Sequence, residues 1–420
     1  MSIFALLKKS DIILKFGLKF FSTKRSMIGF VKRNQISRFI ACCFISSLAI
    51  FSSCSEEADD SSSVDPVEKV LSQMTLREKV GQMFYGRPEM LDTTIHWIVG
   101  DDLTVNPMRE TSPTMLVVNK DYPVGGIILY AHNIDNETQL KSFVAELKGL
   151  NGNPLICIDE EGGRVSRIAN NPNFNLPRYE SMDSIGKTGD PHNAYECANT
   201  IGTYVKGFGF DIDFAPVADV NTNPENVVIG KRAFSGDPQV AAPMVTNYLQ
   251  GFKDAGIVGC IKHFPGHGDT KNDTHTGYAS SNKTWDEMLS CEMVTFKAGI
   301  NWGTELIMTA HISAPNVTGT DLPSTMSSII LQDKLRGDLG YNNIIVADAM
   351  EMGAISLRYT SAEGAVGAIQ AGVDIVLGPK NLIEAFDAVM DAVATGKISE
   401  DRINQSVRRI LKLKYKIGRL

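Results

Sequence analysis

Cysteine pairs at metal-binding or redox spacing are missing from this sequence, because none of its seven cysteines forms a Cys-x-x-Cys. Cys42, Cys43 and Cys54 belong to the N-terminal stretch, leaving Cys157, Cys197, Cys260 and Cys291 for the folded part. Cys157 and Cys260 lie in apolar strand-like runs, and Cys197 and Cys291 in helical stretches, so buried free thiols are expected rather than zinc ligands or disulfide staples. Basic residues are scarce once the first 53 residues are set aside. That stretch holds nine of the 41 Lys/Arg and one of the 48 Asp/Glu, so the remainder carries 32 basic against 47 acidic groups, a net of −15. Such a surface repels phosphate backbones, and no nucleic-acid partner is expected. No internal repeat or low-complexity block stands out beyond residue 63. The apolar run 39–51 has 13 residues, short of a comfortable bilayer span.

What is present begins with a leader. Lys32, Arg33 and Arg38 precede the apolar run, and Ser52-Ser53-Cys54 follow it, the order of a secretory signal. Cys54 resembles the lipidated cysteine of bacterial lipoproteins, although Phe51 departs from the usual aliphatic residue there. A plain cleaved signal with an incidental cysteine is the alternative. Residues 55–63, Ser-Glu-Glu-Ala-Asp-Asp-Ser-Ser-Ser, are too polar to collapse and read as a solvated tether. Met27 would begin a signal of ordinary length, so residues 1–26 are either a start-site artefact or a longer basic region. The expected organisation is a leader over 1–53, a tether over 54–65 and one domain over 66–420, anchored by lipid in the cell envelope.

The 420 residues are 43% hydrophobic and 21% charged, enough for a large core. After the tether, strand-like and helix-like segments alternate. Strand-like runs are 82–85, 126–130, 155–159, 210–215, 258–263, 306–311, 344–348 and 374–377. Helical segments between and after them include 137–150, 238–255, 285–302, 327–339, 361–371, 382–394 and 399–416. The stretch 87–122 reads as an irregular insertion. Eight such strands alternating with helices predict an α/β fold, a single-domain (β/α)₈ barrel of the TIM type, with a doubly wound open sheet as the alternative. A barrel collects its chemistry at the C-terminal strand ends. Asp159, Lys262-His263, His311 and Asp348 fall at the ends of the third, fifth, sixth and seventh runs.

The densest polar cluster is Lys262-His-Phe-Pro-Gly-His-Gly-Asp-Thr-Lys-Asn-Asp-Thr-His275, which holds three of the seven histidines. A surface loop is the bland reading. Burying Lys262 and His263 without partners is costly, which argues against it. The histidine spacing matches neither HExxH nor a Cys/His finger, so no metal and no cofactor is expected. Lys-His-Phe-Pro-Gly-His-Gly followed by Asp-x-His resembles the signature of glycoside hydrolase family 3, in its β-N-acetylglucosaminidase branch. Val124-Gly-Gly-Ile-Ile-Leu129, Ile158-Asp-Glu-Glu-Gly-Gly-Arg-Val-Ser-Arg167, Asn226-Val-Val-Ile-Gly-Lys-Arg-Ala-Phe234 and Val346-Ala-Asp-Ala-Met350 extend the resemblance, in the family's order, from about Pro66 onward.

The resemblance implies a retaining double displacement, which needs a nucleophilic carboxylate and a separate acid that becomes a base. Asp348 follows Ile-Ile-Val-Ala and matches the family nucleophile; on the residues alone it reads equally as a helix N-cap. Asp273 and His275 match the Asp-x-His pair in which histidine is the acid/base, with Thr274 where the family more often has Ser. An imidazole titrates near neutrality, so it can donate a proton and then accept one. An exposed loop histidine is the alternative. Asp159, Arg167, Arg232, Lys262 and His263 match positions that bind sugar hydroxyls in the family, for which carboxylates and guanidinium groups are well suited. A substrate-assisted mechanism through the three acids Asp159-Glu160-Glu161 is the weaker reading, because Glu160 and Glu161 lead into a Gly-Gly turn. The implied function is removal of terminal β-N-acetylglucosamine, with peptidoglycan fragments as the glycan partner and the membrane met only through the lipid. Alternatives are a β-glucosidase, a β-xylosidase or a phosphorylase of the same family, and a catalytically inactive glycan-binding lipoprotein.

Overall fold

The computed structural model describes residues 65–95, 107–271, 273–274 and 277–420. The leader, Cys54 and His275 lie outside the described residues.

Eight parallel strands form one sheet: β1 Phe84–Gly86, β2 Gly126–Leu129, β3 Leu155–Ile158, β4 Ile212–Asp213, β5 Val258–Phe264, β6 Leu306–Thr309, β7 Ile344–Ala347 and β8 Val376–Leu377. Each pairs with its successor through β7, and β8 pairs with β1 at Phe84↔Val376. The ring closes where Val346 bridges Ile375 and Ala347 N–H donates to Ile375 O at 2.9 Å. This is the (β/α)₈ barrel, and closure excludes the open sheet. Every residue of β2, β3, β6 and β7 is buried, as both faces of a barrel strand must be. Their Ile, Leu and Val side chains therefore form near-continuous apolar runs, which is why the sequence pattern locates the strands.

Helices surround the strands, and their boundaries follow local signals. Pro238–Ala255 starts on Asp237, whose carboxylate accepts from Gln239 N–H, and stops at Gly256 in the left-handed region (φ 79°). Ser361–Ala371 starts with a capping box between Thr360 and Glu363. Three expectations need correction. The stretch 87–122 is not wholly irregular, since Pro113–Asp121 is a helix capped by Ser112. The segment 285–302 is two helices, Trp285–Ser290 and Glu292–Trp302, broken at Cys291 (φ −129°, ψ −86°). The segment beginning near 327 winds as a π-helix over Ile329–Asp338. Cys157, Cys197 and Cys260 are buried free thiols as expected, whereas Cys291 is half-exposed.

The last helix, Glu400–Lys416, lies across the N-terminal end of the barrel. Along its length Arg402 donates to Val373 O, Arg409 to Asn342 O, and Lys414 to Gly152 O and Asn153 O. Those acceptors precede β8, β7 and β3, so the helix caps the closed end. Among the described residues no helix is long and apolar enough to cross a membrane.

Candidate active site

At the C-terminal strand ends, the side chains that follow β3 and complete β5 meet. Lys262, 2% exposed, places Nζ 2.7 Å from Asp159 Oδ1 and 2.6 Å from Glu161 Oε1. Glu161 accepts a bidentate pair from Arg232, Nε at 2.8 Å and Nη2 at 2.7 Å. A buried ammonium flanked by two carboxylates stays charged, and Lys262 is accordingly raised: burial lowers it, and Asp159 and Glu161 more than offset that. Burial likewise pushes Glu161 up, while Arg232 and Lys262 hold it well below the usual carboxylate range. Asp159, Arg232, Lys262 and His263, four of the anticipated site residues, are thus brought into one network.

His263 completes that network from the other side. Its Nδ1 lies 2.7 Å from Asp219 Oδ2, and its Nε2 lies 3.5 Å from Arg232 Nη2. Asp219 is fully buried and also accepts from the backbone N–H of His267 at 2.6 Å. One carboxylate therefore fixes both ends of the His263–His267 turn. The sequence gives Asp219 no role, and Glu161 only the weaker substrate-assisted one. Asp219 stands in a short apolar context, and its partners lie 44 and 48 residues onward.

Glu160 and Glu161 differ from expectation, because they form strand Glu160–Gly162 of a small hairpin with Val165–Ser166 rather than simply leading into a turn. The hairpin turns through Gly162 (φ 85°) and Gly163 (φ 68°), positions that disfavour any side chain. Glu160 is buried and accepts from the backbone N–H groups of Arg167, Ile168 and Ala169 at 2.5, 2.8 and 2.9 Å, and from Tyr204 Oη at 2.8 Å. Its carboxylate is consumed by this backbone, which sets the direction of Arg167. The Arg167 guanidinium makes no hydrogen bond or ion pair among the described residues; it lies 5.7 Å from the Tyr130 ring centroid, and its Nε is buried. A cation so placed is available to a ligand. Tyr130 collects the site's charges: burial pushes its hydroxyl up to about 12, with Arg87, Asp159, Arg167 and Asp348 all acting on it.

Asp348 is half-buried directly after β7, its backbone N–H donating to Thr309 O at 3.2 Å. Its Oδ1 accepts from Ala349 N–H at 2.8 Å, and the next helix, Gly353–Ser356, is capped by Met352. Asp348 is therefore not a helix N-cap. His311 steadies the same turn, with one ring nitrogen 3.0 Å from Ala349 O and the other 2.9 Å from Thr325 Oγ1. The residues next to His275 in sequence reach the same place. Thr274 Oγ1 lies 3.1 Å from His267 Nε2, and Thr274 O accepts from Ala354 N–H at 3.0 Å. Asp273 acts electrostatically on Arg164 in the hairpin. Among the described residues no group of three or more His, Cys, Asp or Glu is arranged to hold a metal ion. A cavity of about 900 Å³ is lined by the loops after β7 and β8 and includes none of Asp159, Lys262 or Asp348. The converging polar side chains, not cavity size, locate the site.

Residues 75–413 match the family model described as the glycosyl hydrolase family 3 N-terminal domain. The chain is 34% identical over 340 residues to beta-hexosaminidase A of Pseudoalteromonas piscicida, covering 74% of this chain and 56% of that protein. It is 34% identical over 278 residues to a beta-hexosaminidase of Stenotrophomonas maltophilia, covering 63% and 80% respectively. Among solved structures it is similar to a glycoside hydrolase family 3 beta-N-acetylglucosaminidase from Paenibacillus, with TM-score 0.73 and 36% identity, covering 82% of this chain and 63% of that one. The chain thus spans less than two thirds of the Pseudoalteromonas and Paenibacillus proteins.

Proposed function

We propose that this chain, which belongs to glycosyl hydrolase family 3, is a retaining β-N-acetylhexosaminidase that removes terminal non-reducing β-N-acetylglucosamine from peptidoglycan fragments. One juxtaposition carries the reading. Asp348 at the end of β7, the Asp159–Lys262–Glu161–Arg232 network and the Arg167 guanidinium all act on one tyrosine, Tyr130, or on one another, at a single barrel mouth. The names of the matched relatives supply the sugar.

In this reading Asp159, Lys262, His263, Arg167 and Arg232 bind the hydroxyls of the terminal sugar. An Asp348 carboxylate oxygen attacks the anomeric carbon while the bond to the leaving oxygen breaks. His275 gives that oxygen a proton, with Asp273 orienting the ring. A water then attacks the glycosyl–Asp348 ester, His275 takes its proton, and the sugar leaves with its configuration retained. The Thr274–Ala354 and Thr274–His267 contacts, on the residue before His275, support this assignment.

A slow 2-fluoro or cyclitol inactivator, followed by peptide mapping, tests the nucleophile. The adduct is expected on Asp348, and Asp348→Ala should lose essentially all turnover of an N-acetylglucosaminide. An adduct on another carboxylate, or an inverted anomeric product, would overturn the assignment. The location is proposed from the leader alone: Cys54, lipidated, holds the protein at the cell envelope, since two or more acyl chains anchor stably. Cys54→Ala should then move the protein from the membrane to the soluble fraction; a wild type already soluble refutes it.

A further inference from the structure

A second ionic cluster joins the two ends of segment 269–281, which carries Asp273 and His275. Glu292 opens helix Glu292–Trp302 and is buried. Its Oε1 takes Lys283 Nζ, while its Oε2 is buried and meets no hydrogen-bond donor among the described residues. Lys283 Nζ also lies 3.9 Å from Asp269 Oδ1, and Asp269 Oδ2 accepts from Ser281 Oγ at 3.3 Å. Burial pulls the Lys283 ammonium down, but Glu292 and Asp269 more than offset it, so the bridge stays charged.

This bridge ties the segment to the site already described. Gly266, in the His263–His267 turn, has φ 122° and packs so closely on Glu292 that a Cβ there would lie 2.4 Å from its Cγ. Three residues along the same helix, Thr295 Oγ1 donates to Ala218 O at 2.6 Å, next to Asp219. At the start of the segment Asn223 donates to Gly268 O through its backbone N–H and to Thr270 O through Nδ2, both at 3.2 Å. At its end Ser281 N–H donates to Ser313 O at 3.0 Å. Asp269 and Ser281 are thus fixed to each other and to the barrel. Between them Gly277 N–H donates to Asp273 O at 3.1 Å.

Resting on the hydrolase reading above, we propose that Glu292, Lys283 and Asp269 are positioning residues for the acid/base step. None of the three joins the sugar-binding network. The carboxylate–ammonium–carboxylate bridge holds the base of segment 269–281 against the His263–His267 turn, and so sets where Asp273 and His275 stand relative to Asp348. Proton transfer needs hydrogen-bond reach, and a displacement of about 1 Å costs up to about a hundredfold. Attack by Asp348 takes no proton from this segment, so loosening the bridge impairs proton transfer and spares the nucleophile.

The test measures kcat/KM on two N-acetylglucosaminides: diacetylchitobiose, whose leaving oxygen needs a proton, and a dinitrophenyl glycoside, whose leaving group departs unaided. Lys283→Met with Glu292→Gln removes the pair together and leaves no fully buried charge behind. It should lose about ten- to a hundredfold on the disaccharide and less than about twofold on the aryl glycoside. Azide should raise kcat of this variant on the aryl glycoside and leave wild type unchanged, because the second step has lost its base. Lys283→Arg, which keeps the cation, should restore the disaccharide to near the wild-type rate. Ser281→Ala, which removes only the bond to Asp269, should show the same pattern more weakly. A merely structural role would lower both substrates together with no response to azide, which overturns the proposal. So does a double variant as active as wild type on the disaccharide. His275→Ala, run beside them, checks the reading itself: equal losses on both substrates would mean that His275 is not the acid, whatever the bridge variants do. No turnover of either substrate by wild type overturns the hydrolase reading, and the role of the bridge with it.

Discussion

Asp219 gives each of its carboxylate oxygens a separate task, one on His263 and one on the backbone of His267. Replacing it with Asn would turn an N–H toward a donor in a buried place, leaving a hydrogen bond unmade at a cost of about 1–3 kcal/mol. Asp219→Asn should therefore lower stability by that amount and reduce kcat/KM on an N-acetylglucosaminide, through loss of the His263 position. The acid side adds a second signature. Burial pushes Asp219 up, but the charge and hydrogen bond of His263 more than offset it, so its folded value lies below the ordinary one. A depressed carboxyl contributes stability above the unfolded value near 3.9 and loses it as pH falls through the folded value. Melting curves from pH 3 to 7 should thus show a shallower acid decline in the variant; equal declines would mean that Asp219 carries no such linkage. At this scale the sequence was readable where a strand ends in a polar residue, as at Asp159, Lys262 and Asp348. It was mute for Asp219 and for the ion pairs of Glu161 with Arg232 and Lys262, whose meaning lies in partners far along the chain.

The hairpin of Glu160–Gly162 and Val165–Ser166 shows the same limit one level up. Sequence pattern finds elements whose burial repeats with a regular period, and the barrel strands and the helices at 238–255, 361–371 and 382–394 fall where that period places them. A three-residue strand has no period to detect. The break at Cys291 is equally invisible, since nothing in Ser290-Cys291-Glu292 disfavours a continuous helix. The hairpin fixes the backbone at Arg167, through the three N–H groups whose hydrogen bonds Glu160 accepts. Glu160→Gln keeps the shape but presents an amide to donors, so one or more of these bonds must fail. With Arg167 binding sugar hydroxyls as proposed, the expected outcome is a rise in KM of about tenfold with a smaller change in kcat, because binding suffers before chemistry does. Titration of substrate against initial rate decides it. A fall in kcat at unchanged KM would place Glu160 in the chemistry, as the substrate-assisted alternative requires.

At the scale of the whole molecule, the barrel has one end for chemistry and one sealed by helix Glu400–Lys416. The seal is electrostatic as well as apolar. Buried Asp374 takes Arg336 at 2.7 Å and Arg409 at 3.0 Å, with Arg402 at 3.7 Å, and ties the helix to the start of β8. Lys414 is 1% exposed and ties it to the segments before β1 and β3, its Nζ 2.6 Å from Gln82 Oε1, 3.0 Å from Gly152 O and 2.6 Å from Asn153 O. Periodicity alone located this helix, yet its place across the barrel end follows from tertiary partners that no local pattern encodes. Burial pushes the Lys414 ammonium down to about 7, with the nearby Arg419 acting in the same direction. The sign of the consequence is fixed by linkage. An unfolded chain holds that proton up to about pH 10.4, so between about 7 and 10 the unfolded state binds more protons, and stability must rise with pH. Below pH 7 the penalty is complete; across the window it is relieved, by up to about 4 kcal/mol at 1.36 kcal/mol per unit. Lys414→Met removes the titrating group while leaving the aliphatic packing. Urea unfolding of both proteins at pH 6 to 10 should therefore give curves that diverge, the wild type gaining stability on the variant as pH rises. Parallel curves would mean that the three oxygen acceptors hold Lys414 charged throughout, and that the closed end of the barrel is insensitive to pH.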